Sequence, residues 1–208
     1  MTTALDTSQI SIHISGPDHP SATLAREVEY EVFGAAFGDT PELLDAEYGP
    51  YEAASVFILA YDDERERAAG MCRLILDSPA GLKSLNDVRR DWGVDPATLL
   101  ETLPTGDVGS LALRPEYRGG EVMIALVVAL AGCCAEHGIA SASAIIEVNA
   151  LHGLRARVGP VFVPIGLPER DYLGAPSLPV IVPMADIPAL VADNPYVYDQ
   201  VVRALALV

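Results

Sequence analysis

The stretch from Asp107 to Val148, DVGSLALRPEYRGGEVMIALVVALAGCCAEHGIASASAIIEV, constrains the fold more than any other part of the chain. Val108 to Leu113 is a short apolar run behind a turn at Pro104, Thr105 and Gly106, the pattern of a strand buried on both faces. Pro115 ends it. Gly119 and Gly120 release the backbone from limits that a Cβ imposes, so the amides from Gly119 to Met123 are expected to converge on an anion, with Arg118 adding charge. Val122 to His137 is apolar almost all round and reads as a buried helix. Its uncharged run of about 14 residues falls short of the ~20 that a bilayer requires. Gly138 supplies the helix stop, and Ala140 to Val148 reads as the next strand. The order is strand, loop, helix, strand, with amides at a helix start placed to hold phosphate.

The flanking pattern extends this unit into a domain. Ile10 to Ser15 alternates like a first strand, and Leu24 to Phe37 behind Ser21 and Thr23 has the spacing of a helix. Phe37-Gly38-Asp39-Thr40-Pro41 breaks it, and Pro41 to Tyr48 predicts a second, shorter helix. Val56 to Tyr61 and Ala68 to Leu76 read as a hairpin around the charged turn Asp62 to Arg67. Leu85 to Trp92 and Pro96 to Leu103 predict short helices. Beyond the central unit come a helix near Leu151 to Arg157, strands around Val161 to Ile165 and Leu178 to Val182, and helices at Asp186 to Ala192 and Pro195 to Leu207. The fold class is α/β (α+β): a mixed, mostly antiparallel sheet flanked by helices, with one βαβ-like crossover at the loop. With 208 residues, half of them apolar, a single domain over 1–208 is expected, its C-terminal helix at about 195–208.

A formal charge of −16, from 29 acidic and 13 basic side chains, repels phosphate backbones and argues against nucleic acid as a partner. The N-terminus shows no basic segment followed by an apolar run, so a cytoplasmic location without membrane association is expected. Cys72, Cys133 and Cys134 have no metal-ligand spacing and read as packed thiols; no metal is expected.

The arrangement around PEYRGG resembles the Gcn5-related N-acetyltransferase superfamily, whose acyl-CoA loop follows Arg/Gln-x-x-Gly-x-Gly/Ala between a strand and a helix. PEYRG matches the segment leading into that loop, whereas Glu121 and Met123 stand where the superfamily has small residues. RLILDSPAGLKSLNDV from Arg73, then Trp92, and the later LRARVGPVFVPIGLPERDYLGAPSLPVIVPM are similar to the acyl-homoserine-lactone synthases and long-chain N-acyl amino acid synthases. Together the likeness spans roughly residues 25 to 187, the size of a whole domain. In GSLAL, Leu111 follows Ser110 where the homoserine-lactone synthases carry an arginine. The resemblance implies transfer of an acyl group from acyl-CoA or an acyl carrier protein to the amine of a small molecule or amino acid, with no permanently bound cofactor. It implies donor-binding roles for Leu111, Leu113, Arg118, Gly119, Gly120, Val122 and Met123. An acidic carrier protein would need a basic patch; Arg114, Arg118, Arg155 and Arg157 either gather into one or lie scattered in solvent.

Acyl transfer requires a held donor carbonyl, a neutral amine and a proton acceptor. Asp107 and Glu147, on neighbouring strands, are the candidate acceptors; the alternative for each is strand-end solvation or an ion pair with an arginine. His152 is a further candidate base or an ordinary surface residue. Acetyltransferases often protonate the leaving thiolate with a tyrosine after the fifth strand, and Tyr172 is the nearest substitute here, or else a packing residue. Arg73 is placed to hold an acceptor carboxylate, or is an edge-strand arginine paired with Asp77 or Glu64. Trp92 with Phe33 and Phe37 either lines a substrate pocket or fills the core. The second class of function is a non-catalytic ligand-binding or scaffold protein on the same fold. Finally, NPYVYDQVVRALALV places Val197, Val201, Leu205 and Val208 near one helix face, either docked on its own sheet or buried in a homodimer.

Overall fold

A computed structural model of the chain describes residues 9–118 and 120–206. Alternation in ISIHIS gives β1 (Ile10–Ser15), as expected from its sequence. The first helix, α1 (Pro20–Phe37), begins where the His19 imidazole accepts the Ser21 amide and Pro20 presets the first turn; it ends at Gly38, φ 79°. The hydroxyl of Thr40 caps α2 (Pro41–Tyr48) by accepting the Leu43 amide. The hairpin follows as β2 (Ser55–Asp62) and β3 (Arg67–Leu76). Next come α3 (Lys83–Asp87), β4 (Gly106–Leu113), α4 (Glu121–Glu136), β5 (Ser141–Glu147) and α5 (Val148–Val158). The chain closes with β6 (Val163–Pro164), β7 (Arg170–Tyr172), β8 (Ala175–Pro183), α6 (Ile187–Leu190) and α7 (Pro195–Ala206).

The strands form one sheet in the order β1-β2-β3-β4-β5-β8-β6, with β7 also on β8. Among the described residues only β4 and β5 pair in parallel, joined through α4, so the expected mostly antiparallel sheet with one crossover is the observed one. Ala22, Ala25, Val28 and Val32 of α1 bury themselves on Phe57, Leu59 and Met71 of one sheet face. The opposite face carries α4, whose Val122, Leu126, Leu130 and Cys133 join a larger core, and α7 covers α4 in turn. An α4 that is apolar between its terminal glutamates is satisfied because sheet and helix cover it from both sides. Val197 and Val201, the described part of the stripe that suggested a dimer, are buried in this core of the same chain; Leu207 and Val208 lie outside the described residues. Among the described residues no helix is long and apolar enough to cross a membrane.

Several expected elements are shorter or divided. Val161 to Ile165 yields only the two-residue β6, since Pro160 and Pro164 lack ladder donors and Gly166 turns the chain at φ 87°. β7 was not anticipated: Glu169-Arg170-Asp171 is charged, and only pairing with β8 makes it a strand. Leu85 to Trp92 starts two residues earlier as α3 and widens into a π turn at Val88–Trp92, while the predicted helix from Pro96 is a single 3₁₀ turn to Thr98.

Candidate active site

β4 and β5 share just two ladder positions, Gly106↔Ala142 and Asp107↔Ser143, and then diverge. Beyond that point β5 continues its pairing with β8, and β4 its pairing with β3. The sheet therefore has a fork. Opposite the fork, β4 carries a bulge: Arg73 faces Ser110 and Leu74 faces Val108, which leaves Gly109 as the extra residue. A Cβ at Gly109 would lie 2.9 Å from Ile75 Cδ1 and 3.1 Å from the Tyr48 ring, so glycine lets the α2 tyrosine lie against the strand. The Tyr48 hydroxyl donates to the Gly109 carbonyl at 2.6 Å.

A cavity of about 1010 Å³, counted to its solvent mouth, passes through the sheet at this fork. On the α4 side its wall is apolar, built from Leu126, Val127, Leu130, Leu154 and Phe162. On the α2 and α3 side it is polar, with Tyr48, Lys83, Ser84, Ser110 and Tyr172. A second, much tighter cavity, lined without polar side chains other than Cys134, adjoins it; Val108, Val127, Leu130 and Phe162 line both. Val191, Val197 and Val201 of the C-terminal segment form its far wall.

The polar wall is a network of buried charges. The Lys83 ammonium, 3 % exposed, reaches Asp87 Oδ2 at 2.6 Å, Glu47 Oε2 at 3.0 Å and the Tyr172 hydroxyl at 2.8 Å. Tyr172 donates its own proton to Asp87 at 2.5 Å, and burial, then the Asp87 charge, holds the phenol far above its usual titration range. Tyr48 is likewise pushed up by burial, then by Glu29. Behind this wall, Arg73 donates to Glu29 at 2.6 Å and to Glu52 at 2.8 Å, and its guanidinium lies 4.4 Å from the Tyr48 ring centre. Ser110 donates to the other Glu29 oxygen.

The structure sorts the residues expected at the site. Leu111, Phe33, Phe37, Glu147 and Tyr172 lie on the cavity wall. Asp107 does not: it is fully buried just behind the wall, accepting from the Ser84 amide at 2.6 Å, the Ser84 hydroxyl at 3.0 Å and the Ser143 hydroxyl at 3.1 Å. Burial raises its carboxyl to about 6 against the pull of those hydrogen bonds. Glu147 accepts the amides of Asn149 and Ala150, so its carboxylate caps α5. Arg73 pairs with Glu29 and Glu52 instead of Asp77 or Glu64, because β3 is a central strand and α1 delivers Glu29 onto it. Trp92 lies behind Tyr172, ring centres 6.0 Å apart, and donates to the Pro168 carbonyl. His152 is exposed.

Around the start of α4, Leu113 packs on the core, Val122 and Met123 are buried beneath the loop, and exposed Arg118 donates to the Leu113 carbonyl at 3.2 Å. Gly119 lies outside the described residues. Gly120 has φ −110°, and a Cβ there would meet only the Tyr117 carbonyl oxygen at 3.9 Å, an ordinary contact, so this position does not need glycine for its conformation, contrary to the expectation from sequence. Glu121 is the first residue of α4, at the positive end of the helix dipole. Arg114 does not join a basic patch; it is buried and spent on Glu31 at 2.7 Å and on the Ala68 carbonyl. Sequence reasoning missed Tyr48, Lys83, Ser84, Asp87 and Glu29. The readable signal was the Lys83–Asp87 spacing of four on a helix, which brings the two onto one face.

Comparison with solved structures gives the fold its name. The chain is similar to FeeM, an N-acyl amino acid synthase from uncultured soil microbes, at 15 % identity over 90 % of this chain and 97 % of that one, with a TM-score of 0.68. It is similar to BjaI, a CoA-dependent acyl-homoserine lactone synthase solved with SAM and isopentyl-CoA, at 16 % identity over 95 % and 90 % of the two chains and a TM-score of 0.60. A spermidine N-acetyltransferase from Vibrio cholerae, in complex with CoA and spermine, aligns at 11 % identity over 86 % and 98 %, with a TM-score of 0.53. No protein-family model and no curated protein sequence matches the chain. The fold is that of the Gcn5-related N-acetyltransferases, in the form shared with the acyl-homoserine-lactone and N-acyl amino acid synthases.

Proposed function

We propose that the chain is an N-acyltransferase that moves an acyl group from acyl-CoA to the amine of a small molecule or amino acid. The observation that carries this reading is the cavity through the β4–β5 fork, polar on one sheet face and apolar on the other. An extended thioester arm bearing amide groups suits an open strand edge, because it supplies the hydrogen bonds that β5 withholds from β4. Its acyl chain then turns onto Leu126, Val127 and Leu130, with the second cavity as overflow for longer chains. The diphosphate lies over the start of α4, where Arg118 and the amides from Gly120 to Met123 face it. Phe33 and Phe37 line the mouth.

The acceptor amine approaches from the polar side. Tyr172, whose proton is held by Asp87, is assigned to ordering the polar wall beside the leaving thiolate, which is protonated by solvent, while Asp107 or Glu147 takes the amine proton. Trp92 supports Tyr172 from behind. Arg73 acts on the acceptor side by fixing Glu29 and Ser110, since its contacts with Glu29 and Glu52 turn it away from a free carboxylate. The resemblance also allows an acyl carrier protein as donor; loss of Arg114 from the basic group favours CoA.

Native mass spectrometry of the purified protein, followed by thiol release from acyl-CoAs of increasing length with a panel of amines, tests the reading. The expected result is amine-dependent release with an N-acyl product, faster for medium-chain donors than for acetyl-CoA. Tight donor binding without release for any amine would favour a ligand-binding protein on this fold. Absence of donor binding would sink both.

A further inference from the structure

We propose that Ser84 is a catalytic residue, a hydroxyl relay that passes the amine proton from the cavity to the buried Asp107. The inference deepens the acyltransferase reading and rests on it. Ser84 stands on the polar wall, and its hydroxyl donates to Asp107 Oδ1 at 3.0 Å. A hydroxyl has one proton and two lone pairs; with the proton committed to Asp107, the lone pairs remain to accept an N–H from the cavity side. The Ser84 amide fixes the other oxygen, Oδ2, at 2.6 Å, and the Ser143 hydroxyl joins it at 3.1 Å. Asp107 is thereby locked at the last paired position of β4 and β5, where the fork opens.

Asp107 itself cannot touch the amine, being fully buried and absent from the wall. A relay removes that obstacle. In the transfer, the amine lone pair attacks the thioester carbonyl, the C–N bond forms and the C–S bond breaks with its electron pair going to sulfur. One N–H proton passes to Ser84 Oγ while the original Ser84 proton passes to Asp107 Oδ1. After product leaves, Asp107 returns the proton to Ser84 and Ser84 releases it to water in the emptied cavity, which restores the starting state; the thiolate takes its proton from solvent.

The fork holds a second hydroxyl–carboxylate pair, Ser110 with Glu29, but Glu29 is already neutralised by Arg73 at 2.6 Å. Among the described residues, Asp107 has no cation in direct contact. Lys83, the neighbouring charge, is engaged by Asp87, Glu47 and Tyr172, and the Tyr48 phenol faces Asp107 without ionising near neutrality. Asp107 is therefore the carboxylate of the two not already held by a cation.

The test compares wild type with Ser84→Ala, Ser84→Thr and Ser110→Ala, using decanoyl-CoA and amines of graded basicity, with folding checked by thermal melting. Ser84→Ala should lower turnover by about 10²–10⁴ with little change in donor KM, and Ser84→Thr should retain most of it. The Ser84→Ala deficit should shrink for weakly basic amines, which lose their proton without help; a merely structural role would not produce that dependence. Full turnover in Ser84→Ala, a deficit independent of amine basicity, or a loss confined to Ser110→Ala would overturn the relay while leaving the acyltransferase reading intact. A wild-type protein that acylates no amine would overturn that reading, and the relay with it.

Discussion

Replacing Arg73 by methionine tests the charge cluster behind the polar wall. The Arg73 and Glu29 side chains are 3 % and 0 % exposed, so removing the guanidinium leaves the carboxylate buried with Ser110 as its hydrogen-bond partner. Breaking one partner of a buried pair costs about 3–5 kcal/mol. The contact with Glu52, 32 % exposed, adds about 0–1 kcal/mol, and lost stacking on Tyr48 and Phe57 adds a comparable amount. Methionine fills most of the vacated volume and limits the cavity term. A net loss of about 4 kcal/mol at a urea slope of about 3 kcal/mol per M lowers the unfolding midpoint by about 1.3 M. Adding Glu29→Met removes the stranded charge, so the double variant should recover at least half of the loss. Acceptor kinetics on that double variant then separate support from binding. If Arg73 only positions the wall, KM for amino acids and for plain amines should change in parallel. A single variant that loses less than about 1 kcal/mol, or a double variant as unstable as the sum of both, would refute the assignment of a coupled buried pair.

Two further outcomes follow from the same geometry. Asp107 has a folded-state carboxyl near 6, above its ordinary value of 3.8, so its burial opposes folding at neutral pH and that penalty is relieved as pH falls from about 6 toward 4. The stability of wild type minus that of Asp107→Asn should therefore rise across this window by on the order of 3 kcal/mol, read by urea unfolding at each pH; a flat difference would show that the carboxyl is not raised. Leu130 lines both cavities, so Leu130→Trp should block passage between them. Turnover of tetradecanoyl-CoA should then fall about tenfold or more against butyryl-CoA, and an unchanged ratio would exclude the second cavity as an acyl site.

The sheet was legible because its signals are local. Alternation in ISIHIS, the charged turn at Asp62–Arg67 and the glycine stop after α4 each act within a few residues, and each element formed where its pattern predicts. β7 and the truncated β6 were not legible, since pairing across the sheet decides the one and proline the other. The polar wall was largely hidden for the same reason. Glu29 reads as a solvent-facing glutamate on an amphipathic helix until β3 brings Arg73 beneath it, 44 residues away in sequence. Ser84 carries no signal at all: nothing near it shows that Asp107 will lie within hydrogen-bond reach. Asp107 itself was readable as a strand-start carboxylate beside the loop, but its burial behind the wall was not.

The fork is kept open by commitments made outside it. β8 occupies the far edge of β5 along its whole length, and α5 begins at Val148, directly after β5, with Glu147 as its cap, so β5 cannot swing back to β4 without losing that cap. On the other side, the bulge at Gly109 and the Tyr48 hydroxyl on its carbonyl hold β4 against β3 and α2. Asp107 fastens the crotch by taking hydrogen bonds from α3 and from β5 at once. A sheet opened in this way leaves β4 amides facing a mainly apolar cavity, which costs free energy wherever water is excluded. An amide-bearing chain of strand-like geometry supplies those missing bonds, whereas a compact ligand does not. On the acyltransferase reading proposed above, the same geometry that makes the fork expensive favours an extended thioester donor, and the acceptor is left to the polar wall on the opposite face.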